Sequence, residues 1–273
     1  MIAGSALWLA LTGNTGIRYS ADHDGTVPMW FRWIPALVGI VLVRLAPPNA
    51  HRSPSDTRAR ASMGRVPGFE ATVLLAAAVL FAVTLRLAGG GEPAHTLLKL
   101  PLLLAVPAVM FGVVRHRRGA WTPPREKSGP WRRYGPTAPV VAWLALSYAS
   151  PLATPPSDYA LTVDLATLIV TVAVVFLINS LLEEVFYRRW LQTRWESILG
   201  RWPAIVLTAL LWAVWHIGIH STGRLDVDLA SVFVSQGVQG LFLGYLWSKY
   251  RMMWPILVVH GAINAVPIMV PLL

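Results

Sequence analysis

The sequence predicts an all-α fold, a polytopic membrane helix bundle of about eight transmembrane helices. Three observations predict it. Of its 273 residues, 55% are hydrophobic, with a mean hydropathy of +0.54. Only 13% are charged, against about 25% in a soluble domain. Eight uniformly apolar stretches meet or approach the roughly 20 residues a helix needs to cross the hydrocarbon core. Lipid-exposed backbone must bond within its own helix or close into a barrel, and runs this long and apolar mean helices.

In chain order the apolar stretches cover residues 30–46, 70–88, 97–114, 138–154, 161–182, 202–219, 229–247 and 255–270. The fourth is short and begins beside Pro136 and Pro139. The opening run 2–12 is too short to span. It lacks a basic leader and a small-x-small cleavage site, so it reads as an incomplete or interfacial first helix rather than a cleaved signal peptide. Gly237, Gly240 and Gly244 stand at helical spacing in the seventh stretch, and Gly240 with Gly244 makes a small-xxx-small face for close helix contact. Asp164 reads as a solvated cap. The tryptophans flanking spans, among them Trp30, Trp121, Trp202 and Trp254, read as interfacial anchors.

The net charge is +10, and the basic residues alternate. Segments 47–69, 115–136, 183–202 and 248–254 hold 17 Arg and Lys, whereas the alternate segments hold 2. The positive-inside rule puts the first set in the cytoplasm. The expected location is the cell membrane, multi-pass, with anionic headgroups as partners of the basic loops and no nucleic-acid role. With no cysteine, disulfides, thiolate zinc sites and thiol nucleophiles are excluded. The chain divides by character. Residues 1–136 hold N-terminal transmembrane helices with basic cytoplasmic loops. Residues 137–273 form a core holding all the intramembrane polar candidates.

Ionisable groups inside membrane segments are costly, so each is a functional hypothesis. Glu183 and Glu184 directly follow the fifth stretch and are trailed by Arg188. His216 lies in the sixth stretch, and His260 with Asn264 in the eighth. Residues four apart share a helix face, so Glu184 can pair with Arg188, and His260 with Asn264 faces one way. Trp212 lies one turn before His216 and packs beneath it. If the fifth helix runs on through Trp195, Glu183, His216 and His260 lie about 18, 21 and 13 Å above the cytoplasmic helix ends at 1.5 Å per residue. One level reached from the cytoplasm is therefore expected.

A carboxylate beside histidines can hold a water and take its proton, and an amide such as that of Asn264 can stabilise an oxyanion. Glu183, His216 and His260 would also make a His-His-Glu zinc set, so a divalent metal stays open. His220 is four residues from His216 but reads as a solvated interface residue. Other intramembrane designs fail by subtraction. No His is followed by Glu, no Ser has Gly two before it, and no Asp follows a Gly.

Three motifs then carry a resemblance. Glu183-Glu184-Val185-Phe186-Tyr187-Arg188, Trp212-Ala213-Val214-Trp215-His216 and His260-Gly261-Ala262-Ile263-Asn264 resemble, in order and spacing, those of the CAAX-protease and bacteriocin-processing (CPBP, or Abi) membrane endopeptidases. The resemblance covers about residues 140–271. It implies a transmembrane bundle with a cavity open to the cytosol and proteolysis by a Glu-activated water without a covalent intermediate. It further implies Glu183 as base, His216 helping to hold the water, and His260 with Asn264 supporting the oxyanion. Glu184 and Arg188 would orient the first motif, and the substrate would be a membrane-anchored peptide or protein. Two residues depart from the pattern. Trp212 stands in place of the usual Phe, a mild change at a packing position. Arg189 stands where many members have Gly, and would narrow the cavity mouth or alter substrate preference. Two further function classes stay open: a non-enzymatic bacteriocin-immunity or scaffold protein, and a proton-coupled transporter.

Overall fold

A computed structural model describes residues 1–19, 25–47, 65–118 and 130–272. Most of the expected cytoplasmic loops 47–69 and 115–136, and Trp121, lie outside the described residues. Helices occupy all eight apolar stretches: α2 (Trp30–Leu45), α3 (Pro67–Leu87), α4 (Ala94–His116), α5 (Thr137–Tyr148), α6 (Leu165–Leu199), α7 (Arg201–Trp215), α8 (Leu225–Tyr250) and α9 (Met253–Met269). Among the described residues, α3, α4, α6 and α8 are long and apolar enough to cross a membrane by themselves.

The opening run is a helix, α1 (Ile2–Leu11). It does not span. Leu9 packs with Val227, Ala230 and Val234 of α8 and with Ile17 and Val27. Those last two lie on a small antiparallel hairpin, β1 (Gly16–Arg18) with β2 (Thr26–Pro28), that the sequence did not suggest.

Two expected boundaries move, each for a local reason. The fourth helix ends at Tyr148 rather than 154, because Ser150 precedes Pro151 and a residue before proline is pushed out of the helical region. The fifth begins at Leu165 rather than 161. The Asp164 side chain accepts from the Ala166 and Thr167 amides at 2.9 and 3.0 Å, the N-cap it was expected to be.

The larger correction lies at the other end of α6, which does not stop at 182. It continues to Leu199, 35 residues in all, or about 52 Å at 1.5 Å per residue. The fifth helix thus runs on through Trp195, as the depth estimate assumed, and two arginines of segment 183–202 are buried ion-pair partners. Arg194 meets Glu70 of α3 at 2.8 Å, and Arg188 meets Glu184.

α8 is the central helix, with 78% of its most apolar window buried. Gly240 explains its close approach to α7, since a Cβ there would come within 2.9 Å of the Ala209 backbone. The small-xxx-small face is a packing device. Lys249, near the end of α8, donates to the Val43 and Ala46 carbonyls at 2.5 and 2.6 Å. It thereby satisfies the C-terminal end of α2.

Candidate active site

Glu183 sits between two wide π-helical turns of α6, Phe176–Leu181 and Glu184–Gln192, and Glu184 opens the second. Such turns change how the face of a helix is presented and are frequent at functional sites. Here both neighbouring carboxylates turn inward, at 1% and 0% exposure. They take different partners.

Glu183 accepts at Oε1 from the Lys99 ammonium, 2.6 Å away, and at Oε2 from the Trp212 indole N–H, also 2.6 Å. Lys99 donates as well to Asn179 Oδ1 at 2.8 Å and lies 4.9 Å from the Trp215 ring centroid. Glu184 reaches across to α9. Its Oε1 is 2.8 Å from His260 Nδ1, and its Oε2 is 3.4 Å from Arg188 Nε. Arg188 also lies 5.2 Å from the Trp212 ring. Two carboxylates thus face two cations inside the bundle, which is how buried charge becomes tolerable.

An ionised Glu184 only accepts hydrogen bonds, so His260 carries its hydrogen at Nδ1 and a neutral ring keeps a lone pair at Nε2. That nitrogen lies 4.0 Å from Glu183 Oε2. The span is too long for a direct hydrogen bond, and it separates two acceptors.

His216 sits just past the end of α7, and its Nδ1 donates to the Trp212 carbonyl at 2.9 Å. Its ring stacks on Trp215 at 3.8 Å and stands edge-on to Trp212 at 4.9 Å. Trp212 also meets His260 edge-on at 5.4 Å, so its indole touches both histidine rings. Asn264 donates to Ser180 Oγ at 3.0 Å, one turn before Glu184. That leaves one of its two amide hydrogens unspent on this contact.

Five of the six expected residues meet around Trp212 and the Glu pair, Asn264 joins them through Ser180, and two expectations change. The expected Glu184–Arg188 pair is present, the cation on Glu183 is Lys99, and Arg189 is exposed. Trp212 is not merely packing, because its N–H bonds to Glu183. The polar candidates are not confined to residues 137–273, because α4 supplies Lys99. Lys99 stands inside the third apolar stretch of the sequence, where a lone cation was as anomalous as a lone carboxylate.

His95, one turn before Lys99, is also buried. It bonds to Glu92 at 2.9 Å, at the N-terminal end of α4. Burial pushes the Glu92 carboxyl up, but hydrogen bonds from His95 and Thr96 outweigh it and hold the group below the ordinary glutamate range. His220 is half-buried and parallel to His216 at 6.1 Å, not simply solvated.

Zinc does not fit this arrangement. Among the described residues no three His, Asp or Glu side chains gather as a ligand set. Both oxygens of Glu183 are already held by N–H donors, Lys99 and Trp212. The expected cytosolic cavity is not displayed either: His216 and His260 are 8% and 3% exposed.

Neither the curated proteins nor the solved structures gave a match. Residues 165–266, which contain all three motifs but not Lys99, match the family model described as Type II CAAX prenyl endopeptidase Rce1-like, consistent with the CPBP family.

Proposed function

We propose that the chain is a membrane-embedded endopeptidase of the CAAX-processing type. It cleaves a peptide bond in a membrane-anchored protein or peptide with a water activated by Glu183 and His260. The observation that carries this reading is the 4.0 Å between Glu183 Oε2 and His260 Nε2. Two acceptors facing each other at that distance call for a donor between them, and a bridging water fits.

A water donating one hydrogen to each acceptor presents its oxygen lone pairs outward, ready to attack a carbonyl carbon. Glu183 takes the water proton as the new C–O bond forms and returns it to the leaving amine as the C–N bond breaks. No covalent enzyme intermediate is needed. Glu184 fixes the His260 tautomer and is itself neutralised by Arg188. The second Asn264 amide hydrogen is the group assigned to the developing oxyanion, whereas His216, whose Nδ1 hydrogen is spent on the Trp212 carbonyl, offers Nε2 only as an acceptor. Substrate access requires helices around the buried cluster to part, and the basic loops favour entry from the cytoplasm.

The test uses the full chain in proteoliposomes with a fluorogenic peptide ending in a prenylated CAAX sequence. Glu183→Gln, which keeps an oxygen for Lys99 but loses the charge, abolishes cleavage in protein that still melts cooperatively. Chelation leaves the wild-type rate unchanged. A Glu183→Gln protein that still cleaves rejects the assignment of the base.

A non-enzymatic scaffold is the second reading, favoured by the pairing of each of the two adjacent carboxylates with a buried cation. Complementation separates the two. If Glu183→Gln and His260→Ala both restore a null strain, the scaffold reading stands.

A further inference from the structure

We infer that Lys99 and Trp212 are positioning residues for this chemistry, clamping the two oxygens of Glu183 from opposite neighbours so that the carboxylate presents one fixed edge to the water. The inference rests on the endopeptidase reading and deepens it.

The geometry is specific. Lys99 is fully buried, and its ammonium is itself aimed. Asn179 Oδ1 accepts from it at 2.8 Å, and the Trp215 face lies 4.9 Å from it, a cation–π distance. The ammonium is thus oriented by α6 and α7 and delivers its hydrogen to Glu183 Oε1 at 2.6 Å. Trp212 Nε1 takes Oε2 at the same distance, leaving a lone pair on that oxygen for the bridging water. Two charge-assisted bonds at this length remove the rotational freedom of the carboxylate, and such bonds are about twice as strong as neutral ones.

A freely turning Glu183 would meet the water in many poses. A clamped one meets it in a single pose beside His260 Nε2. Lys99 also supplies positive charge against Glu183 from the first half of the chain. It makes the site depend on docking of α4 against α6 and α7, in addition to the three motifs.

The roles are tested on the full chain in proteoliposomes with the prenylated fluorogenic peptide, reading kcat, KM and melting. Lys99→Met keeps most of the side-chain volume and removes the charge. It is expected to lower kcat about 10²-fold, the scale of a misplaced reacting group, with KM unchanged. Trp212→Phe removes only the N–H and part of the ring, and is expected to lower kcat about tenfold, the scale of one hydrogen bond to a charged group. Lys99→Ala leaves room for a short alkylammonium, so added propylamine is expected to restore kcat in a saturable manner.

Wild-type kcat in both Lys99→Met and Trp212→Phe overturns the inference. So does a loss that appears only in KM or melting and that propylamine does not reverse. If Lys99→Met does not fold, Trp212→Phe decides: a wild-type kcat there overturns the clamp, and a tenfold fall at unchanged KM supports it. Failure of the parent reading looks different. There the wild type does not cleave, or Glu183→Gln still does, and the clamp falls with it. Failure of the clamp alone leaves an active wild type, a dead Glu183→Gln and unaffected positioning variants.

Discussion

The two halves of α6 obey opposite rules. Along 165–181 only Leu168 and Ser180 are buried, and Leu165, Ile169 and Val170 are 60–70% exposed. Along 182–196 the buried residues include Glu183, Glu184, Arg188, Gln192, Arg194 and Glu196. The apolar half is turned outward and the polar half inward, the reverse of a water-soluble helix. The physical reason is the solvent. Lipid tails are as apolar as leucine, so apolar side chains gain little by being buried, whereas unpaired polar groups lose heavily outside the bundle. The outward half anchors the helix in the bilayer, and the inward half carries interhelical bonds. Gln192 donates to the Gly244 carbonyl at 2.8 Å, Arg194 meets Glu70, and Glu196 meets both Gln192 and Arg251.

The comparison can be broken at several points. The largest effect belongs to Arg188→Ala. It leaves Glu184 buried without its cation and is expected to destabilise the fold by about 3–5 kcal/mol, with loss of activity. Denaturant unfolding in mixed micelles measures it; a shift below about 1 kcal/mol would show the inward half to be no more sensitive than a surface. Gly240→Val on α8 comes next. Its side chain would enter space held by the Ala209 backbone, and overpacking of this kind costs about 1–3 kcal/mol. It sharpens the comparison by testing the inward face without touching a charge.

Val170→Ala on the outward half is expected to change stability by less than about 0.5 kcal/mol, as surface changes do. A large effect there would mean that this face packs against a partner rather than lipid. The smallest effect is a pH dependence outside the spans. Because the Glu92 carboxyl is held below its ordinary range, its bond to His95 stabilises fully above about pH 4.3, the ordinary glutamate value. That contribution is lost as pH falls through the lower folded value. Melting curves on acidification show this part of the acid sensitivity, and Glu92→Gln removes it.

Much of this was legible in the sequence. Glu183, Glu184, His216, His260 and Asn264 stood out because polar groups within apolar runs are anomalous. The Glu184–Arg188 pair and the shared face of His260 and Asn264 followed from helical spacing. Lys99 carried the same kind of signal, but nothing along the chain connects it to a carboxylate 84 positions later. Segment 183–202 is counted with the cytoplasmic segments because counting charges between apolar runs assumes that charge marks the membrane edge. That assumption fails wherever a buried cation has a buried partner.

The sequence by itself determined the class of fold, the order of the helices and the identity of most of the polar cluster, because hydropathy and helical period are local properties. Only the tertiary structure decided which cation meets which carboxylate, that Trp212 is a donor to Glu183, and that His260 Nε2 faces Glu183 Oε2 across 4.0 Å. Those pairings depend on where separate helices cross and how the π-helical turns of α6 rotate Glu183 and Glu184. Such geometry is set by packing among several helices at once and is not written in any one of them.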